Sequence, residues 1–178
     1  MGSNPSVFRG ADLPVESVNW NHAKEFCEKL TLIHHQAGLI PEDWRWTLPT
    51  EAQWEYACRA GTTADFAGDL DEMAWYDKIA GEKTHAVKGK RANAWGLYDM
   101  YGNVWEWCSD RYGYYPTTSA TDPTGPSDGS DAVLRGGSWI DNVRGCRSAS
   151  RYELSQVFGD RYYGFRVCLV RVPAGEAK

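Results

Sequence analysis

The chain has 178 residues and a mass of 20.0 kDa, which is near the usual size of one domain. Its 19 basic and 24 acidic residues give a formal net charge of −5, so nucleic acid is not expected as the main partner. A disordered chain is excluded by the nine Trp and ten Tyr, and no apolar run approaches the ~18 residues of a membrane span.

The first predicted element is a helix that begins after Asn19 or Asn21, either of which can cap its first turn. Gly38 and then Pro41 end the segment. Four residues share one face at helical spacing and predict its buried side: Ala23, Phe26, Cys27 and Leu30.

A second helix is predicted to begin after Thr50. Thr50 and Gln53 form a capping box, in which each side chain accepts a hydrogen bond from the other residue's backbone amide. Pro49 precedes the helix and Gly61 follows it. The expected buried residues are Trp54, Ala57 and Cys58.

After Gly61 the pattern changes to short apolar pieces between clusters of Gly, Pro, Asn, Asp and Ser. Loops are predicted at residues 112–116 and 121–130, and strands at 132–134, 137–139 and 165–170. Two helices followed by a loop-rich half with short antiparallel strands indicate an α+β domain over residues 1–172. Residues 173–178 are predicted to be a polar tail.

The five cysteines are widely spaced and form no CxxC pair: Cys27, Cys58, Cys108, Cys146 and Cys168. Their expected role is that of small buried hydrophobic residues. An odd number allows at most two disulfides, so cysteine usage does not indicate a compartment, and the localisation stays unassigned.

Seven short strings then follow one another in a fixed order. They are residues 13–20 (LPVE and VNW), 48–61 (LPTEAQWEYACRAG), 93–100 (NAWGLYDM), 102–107 (GNVWEW), 134–139 (LRGGSW), 146–149 (CRSA) and 164–167 (GFRV). Together they closely resemble the formylglycine-generating enzyme, or sulfatase-modifying factor, domain family. The resemblance runs from residue 1 to about residue 170. It implies a compact α+β fold of low regularity, a variant of the C-type lectin fold.

The resemblance also implies that the domain is N-terminally truncated here. Domains of this family usually begin well upstream of a Met-Gly-x-Asn-Pro-Ser string, which stands at residues 1–6 of this chain.

The pattern Asp99-x-x-Gly102-x-Val104-x-Glu106 is the candidate metal site. A tight turn would aim two carboxylates and two backbone carbonyls at one point, and hard oxygen ligands of this kind suit Ca²⁺. The alternative is that both carboxylates only bind the turn's own amides. The family resemblance implies a calcium site at these spacings.

The same resemblance implies that oxidase activity is lost. Members that oxidise a substrate cysteine hold copper between two cysteines, two and seven residues after the aromatic of Gly-Gly-Ser-Trp, and soft thiolates are what Cu(I) prefers. Asp141 stands at the first position, so a copper site is not expected. Cys146 stands at the second spacing, but it begins the CRSA string and is expected in the core. It is therefore only a weak catalytic candidate.

Four arginines accompany the C-terminal strings: Arg135, Arg147, Arg151 and Arg166. They are expected to connect loops through backbone carbonyls and carboxylates, and a substrate-anion role is the alternative. Asp110 and Asp160 are possible partners, but the sequence does not pair them.

The segment 140–163 is the candidate binding face, because its aromatic, polar and turn-rich composition resembles a paratope. Its candidate residues are Ile140, Asp141, Asn142, Tyr152, Glu153, Leu154, Val157, Phe158, Tyr162 and Tyr163. Relatives diversified by retroelements place their variable residues there. The alternative is a structural surface loop. The sequence thus predicts a non-catalytic module that binds a protein or a small ligand. The alternative is a formylglycine-generating oxidase, or a related metal-dependent oxidase, acting on thiol substrates.

Overall fold

The computed structural model describes residues 3–172, so the predicted tail at 173–178 lies outside the described residues. The elements in chain order are α1 (Trp20–Gln36), β1 (Trp44–Thr47), α2 (Glu51–Arg59), α3 (Leu70–Met73), β2 (Ala74–Trp75), β3 (Tyr101–Gly102), β4 (Trp105–Arg111), β5 (Asp131–Arg135), β6 (Arg151–Ser155), β7 (Tyr163–Gly164) and β8 (Cys168–Arg171). The predicted α+β class is confirmed.

The central sheet has four strands in the order β6-β5-β4-β7. β5 pairs antiparallel with both β4 and β6, whereas β7 lies parallel to β4. Two small sheets complete the fold, with β1 and β8 antiparallel and β2 and β3 parallel. The expectation of antiparallel strands therefore needs correction at two pairs. Parallel neighbours need long crossovers, and the long loops of this chain supply them.

Both helix starts are as predicted. The Asn19 side chain accepts a 2.9 Å hydrogen bond from the His22 amide, and α1 ends at Gln36, just before Gly38 in a left-handed conformation. At α2 the capping box of Thr50 and Gln53 is complete. The buried side of each helix is narrower than expected. Phe26 and Leu30 of α1 and Ala57 of α2 are only partly buried, because the neighbouring elements cover only one edge of each helix's apolar face.

Two of the three predicted strands need correction. Residues 132–134 lie in β5, but residues 137–139 form a turn, because Gly136 and Gly137 adopt φ values of +99° and +77°. A Cβ at Gly137 would stand 2.6 Å from the Cys146 sulfur, so the close packing of this turn requires glycine. Of the predicted strand at 165–170, only residues 168–170 form a strand, and they belong to β8. Residues 165–167 lie between β7 and β8.

The central sheet separates two hydrophobic clusters, because successive side chains on a strand point to opposite faces. On one face, α1 packs against Trp105 and Trp107 of β4 and Leu134 of β5. On the other face, α2 packs through Trp54 against a cluster that includes Cys108 of β4. Polar side chains of these strands also alternate between the two faces of the sheet. The alternation therefore determines on which face each candidate site lies.

Candidate functional site

The predicted turn between β3 and β4 depends on left-handed backbone. Asp99, Gly102 and Asn103 have φ values of +55°, +74° and +65°. A Cβ at Gly102 would stand 2.0 Å from the Trp75 carbonyl oxygen, so the turn can be made only with glycine at this position. The turn brings all four predicted metal residues, including Val104, to the wall of one cavity of about 350 Å³.

Glu106 forms the buried end of this cavity and is strongly hydrogen-bonded. Arg166 donates from Nε and Nη2 to its two oxygens at 2.5 and 2.6 Å, and Trp54 donates from its indole nitrogen at 2.6 Å. A carboxylate has about four acceptor positions, so these three bonds leave one free.

Asp99 is less well satisfied. Its Oδ2 accepts a 2.8 Å bond from the Lys88 amide, but its buried Oδ1 has no hydrogen-bond partner. Burial raises the pKa of this carboxyl, and the nearby charge of Glu106 raises the pKa further. Asp99 thus presents a buried carboxylate oxygen without a hydrogen-bond partner, and the nearby charge of Arg166 only partly offsets the rise in its pKa.

The turn offers oxygen donors of the kinds that a calcium ion accepts, although Glu106 is already paired with Arg166. Within residues 3–172 no group of three or more histidine, cysteine or acidic side chains is arranged to hold a metal, and the predicted site contains only two carboxylates. Gly102 and Val104 line the same cavity, and their backbone carbonyl oxygens would be the other ligands. An orphan oxygen on Asp99 and the remaining acceptor position of Glu106 match the mixed ligands that Ca²⁺ accepts.

The arginines of the C-terminal motifs bind carboxylates, but not the predicted ones. Arg135 contacts both Glu51 and Glu55, and Arg151 makes bonds of 2.8 and 2.6 Å to the two oxygens of Glu51. Asp110 instead accepts a 2.9 Å bond from the Glu51 amide. The fourth arginine of the set, at position 147, bonds a backbone carbonyl. A substrate-anion role has no support at Arg135, Arg151 and Arg166, since their guanidinium groups already have carboxylate partners.

Asp141 is held in a structural role. Its Oδ2 accepts hydrogen bonds from the Trp105 indole nitrogen at 2.8 Å and the Ser138 amide at 3.0 Å, and also from the Ser138 hydroxyl. Cys146 is fully buried against Gly137, and burial together with the charge of Asp141 raises the pKa of its thiol to about 12. The structure therefore places Cys146 in the core.

The aromatic residues of the predicted binding face come together around Tyr163. Its ring centroid lies 6.5 Å from that of Tyr152, 6.3 Å from Phe158 and 6.0 Å from Tyr162. Tyr152 and Phe158 keep nearly half of their surface exposed. Burial raises the pKa of Tyr163 to about 12, so this side chain is neutral at pH 7. We call these four residues the aromatic face.

The other candidates of the segment lie at the edge of this face or away from it. Ile140 and Val157 are exposed, whereas Asn142 bonds the amides of its own turn. Leu154 packs into the α1 side of the core. Glu153 points to the opposite side of β6 from Tyr152, because side chains alternate along a strand.

Three residues that sequence reasoning did not assign to the face extend it. Trp139 lies 5.1 Å from Tyr162 and 5.8 Å from Phe8, and the Arg161 guanidinium lies 5.6 Å from the Trp139 ring. The Gly-Gly-Ser-Trp string was a signal for Trp139. Phe8 carried no signal, because its proximity depends on the path of the N-terminal segment.

The fold and these sites define a loop-rich α+β domain with two distinct features. One is the turn that carries Asp99 and Glu106, and the other is the aromatic face. A family model for the sulfatase-modifying factor enzyme 1-like domain matches residues 1–171. The chain belongs to that family, as its motifs predicted.

Two curated relatives and one solved structure illustrate the relationship. The formylglycine-generating enzyme of Streptomyces coelicolor is 34% identical over 161 residues, covering 78% of this chain and 46% of that protein. The chaperone protein LppX of Paenibacillus barcinonensis is 30% identical over 193 residues, covering 80% and 65%. Variable protein 1 of Treponema denticola superposes with a TM-score of 0.87 at 34% identity, over 96% of this chain and 78% of that one. The chain spans about half to two thirds of the length of the two curated relatives.

Among residues 3–172, no helix has both the length and the apolar character needed to cross a bilayer.

Proposed function

We propose that this domain is a non-catalytic binding module that recognises its ligand with the aromatic face. The observation that carries the proposal is the arrangement of Tyr152, Phe158 and Tyr162 around Tyr163 on one side of the sheet. Tyrosine side chains offer large contact areas and lose little conformational entropy on binding, and such residues dominate paratopes and interface hot spots.

Packing and hydrogen bonds support the aromatic face from beneath and from α1. Tyr152 packs on Trp105, whose indole nitrogen is bonded to Asp141 at 2.8 Å. Asn19 at the start of α1 donates to the Val157 carbonyl and so holds the loop that carries Phe158. Preorganisation of this kind reduces the entropy lost on binding, which favours affinity.

A protein segment is the ligand that we favour. The relatives are described as a chaperone protein and as a variable protein, and both descriptions are compatible with protein recognition. By analogy with the second relative, we propose that residues 140–163 are the part of this domain that varies between copies.

We also propose that a calcium ion stabilises the turn before β4, at a site separate from the aromatic face. Asp99, Gly102, Val104 and Glu106 would hold it, and the ion would bind the Asp99 oxygen that has no hydrogen-bond partner. By fixing the turn before β4, the ion would stiffen the strand that carries Trp105. Calcium would thereby act on binding indirectly.

The alternative is an oxidase like the formylglycine-generating relative. Two features argue against it. A carboxylate with three hydrogen bonds stands at Asp141, where those enzymes have a cysteine, and the Cys146 thiol is buried with a strongly raised pKa. Incubation with Cu(I) and a cysteine-containing sulfatase peptide tests it. Peptide oxidation that is lost in Cys146→Ala would overturn our proposal.

A peptide library displayed on phage tests the binding role. We expect clones selected on the wild-type domain to bind Phe158→Ser and Tyr152→Ser about tenfold or more weakly, since each variant removes one aromatic contact. Leu39→Ser, at an exposed hydrophobic site just after α1, is the matched control and should bind like the wild type. Selected clones that ignore both face variants, or a failure to select any clone, would contradict the proposal.

A further inference from the structure

A second concave surface lies on the other side of the central sheet. It is a groove of about 820 Å³ between α2 and the loop that connects β4 to β5. Arg151 lies at its floor, while Tyr152, the next residue of β6, belongs to the aromatic face. Because adjacent strand residues point to opposite sides, the groove and the aromatic face are separate surfaces.

The loop that forms one wall is held in place by specific bonds. Arg151 donates to the Gly113 carbonyl at 2.9 Å, and the Tyr115 hydroxyl donates to Glu51 at 3.0 Å. Gly125 has a φ of +72°, and a Cβ there would stand 2.8 Å from the Arg111 carbonyl oxygen. These contacts therefore hold the loop that forms the wall against the central sheet.

The charged side chains of the groove already have partners within the protein. Asp110 accepts from the Glu51 amide, and Arg111 donates to the Ser127 carbonyl. Arg151 binds both oxygens of Glu51, and its guanidinium lies 4.1 Å from the Tyr115 ring centroid. Arg59 pairs with Glu55 at 2.8 Å on the α2 side. A charged ligand would have to compete with these pairs, so the groove is complementary to a neutral one.

The groove instead offers aromatic rings and hydroxyl groups. Tyr114 is 97% exposed, Tyr56 is 69% exposed and Tyr115 is 61% exposed, although all three line the groove. Prolines complete the wall at positions 116, 123 and 126. Exposed tyrosines beside an open groove can pack against flat, apolar rings. The hydroxyls of Tyr56 and Tyr114 can also donate hydrogen bonds to ligand carbonyl oxygens, whereas that of Tyr115 already donates to Glu51.

We infer that this groove binds a neutral, proline-rich peptide in the polyproline II conformation. Such a helix has three residues per turn and makes no internal hydrogen bonds, so its carbonyls are free to accept from tyrosine hydroxyls. Its proline rings present flat apolar faces to aromatic side chains, and its rigidity lowers the entropy lost on binding. This activity is independent of the aromatic face.

Titration of the folded domain with a capped proline decamer, followed by calorimetry, tests the inference. We expect saturable binding, and a capped Gly/Ser decamer of the same length should not bind. Tyr114→Ala and Tyr56→Ala should each weaken binding about tenfold, the loss of a typical aromatic anchor. Both side chains are exposed, so the variants should fold normally.

Tyr152→Ala is the matched control on the aromatic face and should bind the proline decamer like the wild type. Tyr114→Ala should in turn bind the phage-selected ligands of the aromatic face like the wild type. The two experiments therefore test the groove and the aromatic face separately. No binding of the decamer at millimolar concentration would overturn the inference. So would binding that both tyrosine variants leave unchanged, or capture of a neutral oligosaccharide in place of the peptide.

Discussion

The Asp141 carboxylate accepts a 2.8 Å hydrogen bond from the indole nitrogen of Trp105, which ties the turn after Gly-Gly-Ser-Trp to strand β4. The same oxygen accepts from the Ser138 amide. At the position where oxidases of the family have a cysteine, this chain thus has a residue that supports the strand beneath the aromatic face.

Asp141→Ala should lower the free energy of unfolding by about 1–3 kcal/mol, because it leaves the Trp105 and Ser138 donors without their acceptor. Asp141→Asn keeps an acceptor oxygen and should cost less. Chemical denaturation measures both variants. An Asp141→Ala domain as stable as the wild type would show that the carboxylate has no structural role.

Calcium should stabilise the domain through Asp99. We expect the melting temperature of the wild type to fall when a chelator removes the ion, and Asp99→Gly to show no such response. Glycine tolerates the positive φ of this position, so the variant removes the carboxylate without straining the turn.

Asp122→Gly is the matched control, since this exposed aspartate also has a positive φ of 46° and should keep the calcium response. If the chelator leaves the melting temperature of the wild type unchanged, calcium does not stabilise the domain.

Without calcium, the ionised Asp99 should destabilise the fold. Its folded-state pKa lies above the unfolded value of 3.8, mainly through burial, so the folded form binds its proton more tightly. Stability from this group is present below about pH 4 and is lost as the pH rises through the raised folded pKa.

Asp99→Asn carries no charge and should therefore melt at a higher temperature than the wild type at pH 7 in chelator. The difference should shrink toward pH 3. Thermal melts across this pH range measure it, and a difference independent of pH would indicate that the charge of Asp99 is already compensated.

The cysteines should resist alkylation in the native protein. All five are free thiols, and burial raises the pKa of every one, to about 11 for Cys27 and Cys168 and about 12 for Cys146. Few thiolates therefore exist at pH 8. Intact mass spectrometry after iodoacetamide treatment should show five rapid additions only in denaturant. Rapid native labelling of Cys146 would revive the oxidase alternative.

Arg135 should be essential for stability. It is fully buried and contacts Glu51 and Glu55, so Arg135→Met would leave Glu51 paired with Arg151 alone and Glu55 paired with Arg59 alone, and should cost about 1–3 kcal/mol in the free energy of unfolding. Lys29→Met removes a solvent-exposed partner of Glu25 and should change stability little. Equal denaturation midpoints for the two variants would contradict this view.

The amino-acid sequence by itself determined the local features of the domain. The caps at Asn19 and Thr50 depend on residues three positions apart, and the turn that joins Asp99 to Glu106 depends on a glycine inside it. Such signals involve neighbours along the chain, so they are visible without the fold. The motif strings likewise predicted the family, which the comparison over residues 1–171 confirmed.

The tertiary structure alone decided which distant residues meet. Arg151 pairs with Glu51 rather than Asp110, and Tyr163 lies among Tyr152 and Phe158, because the strand order β6-β5-β4-β7 sets these distances. The alternation of β6 then separated Arg151 from Tyr152 and placed the groove and the aromatic face on opposite sides of the sheet. Sheet order and register depend on the packing of the whole core, which no local pattern encodes.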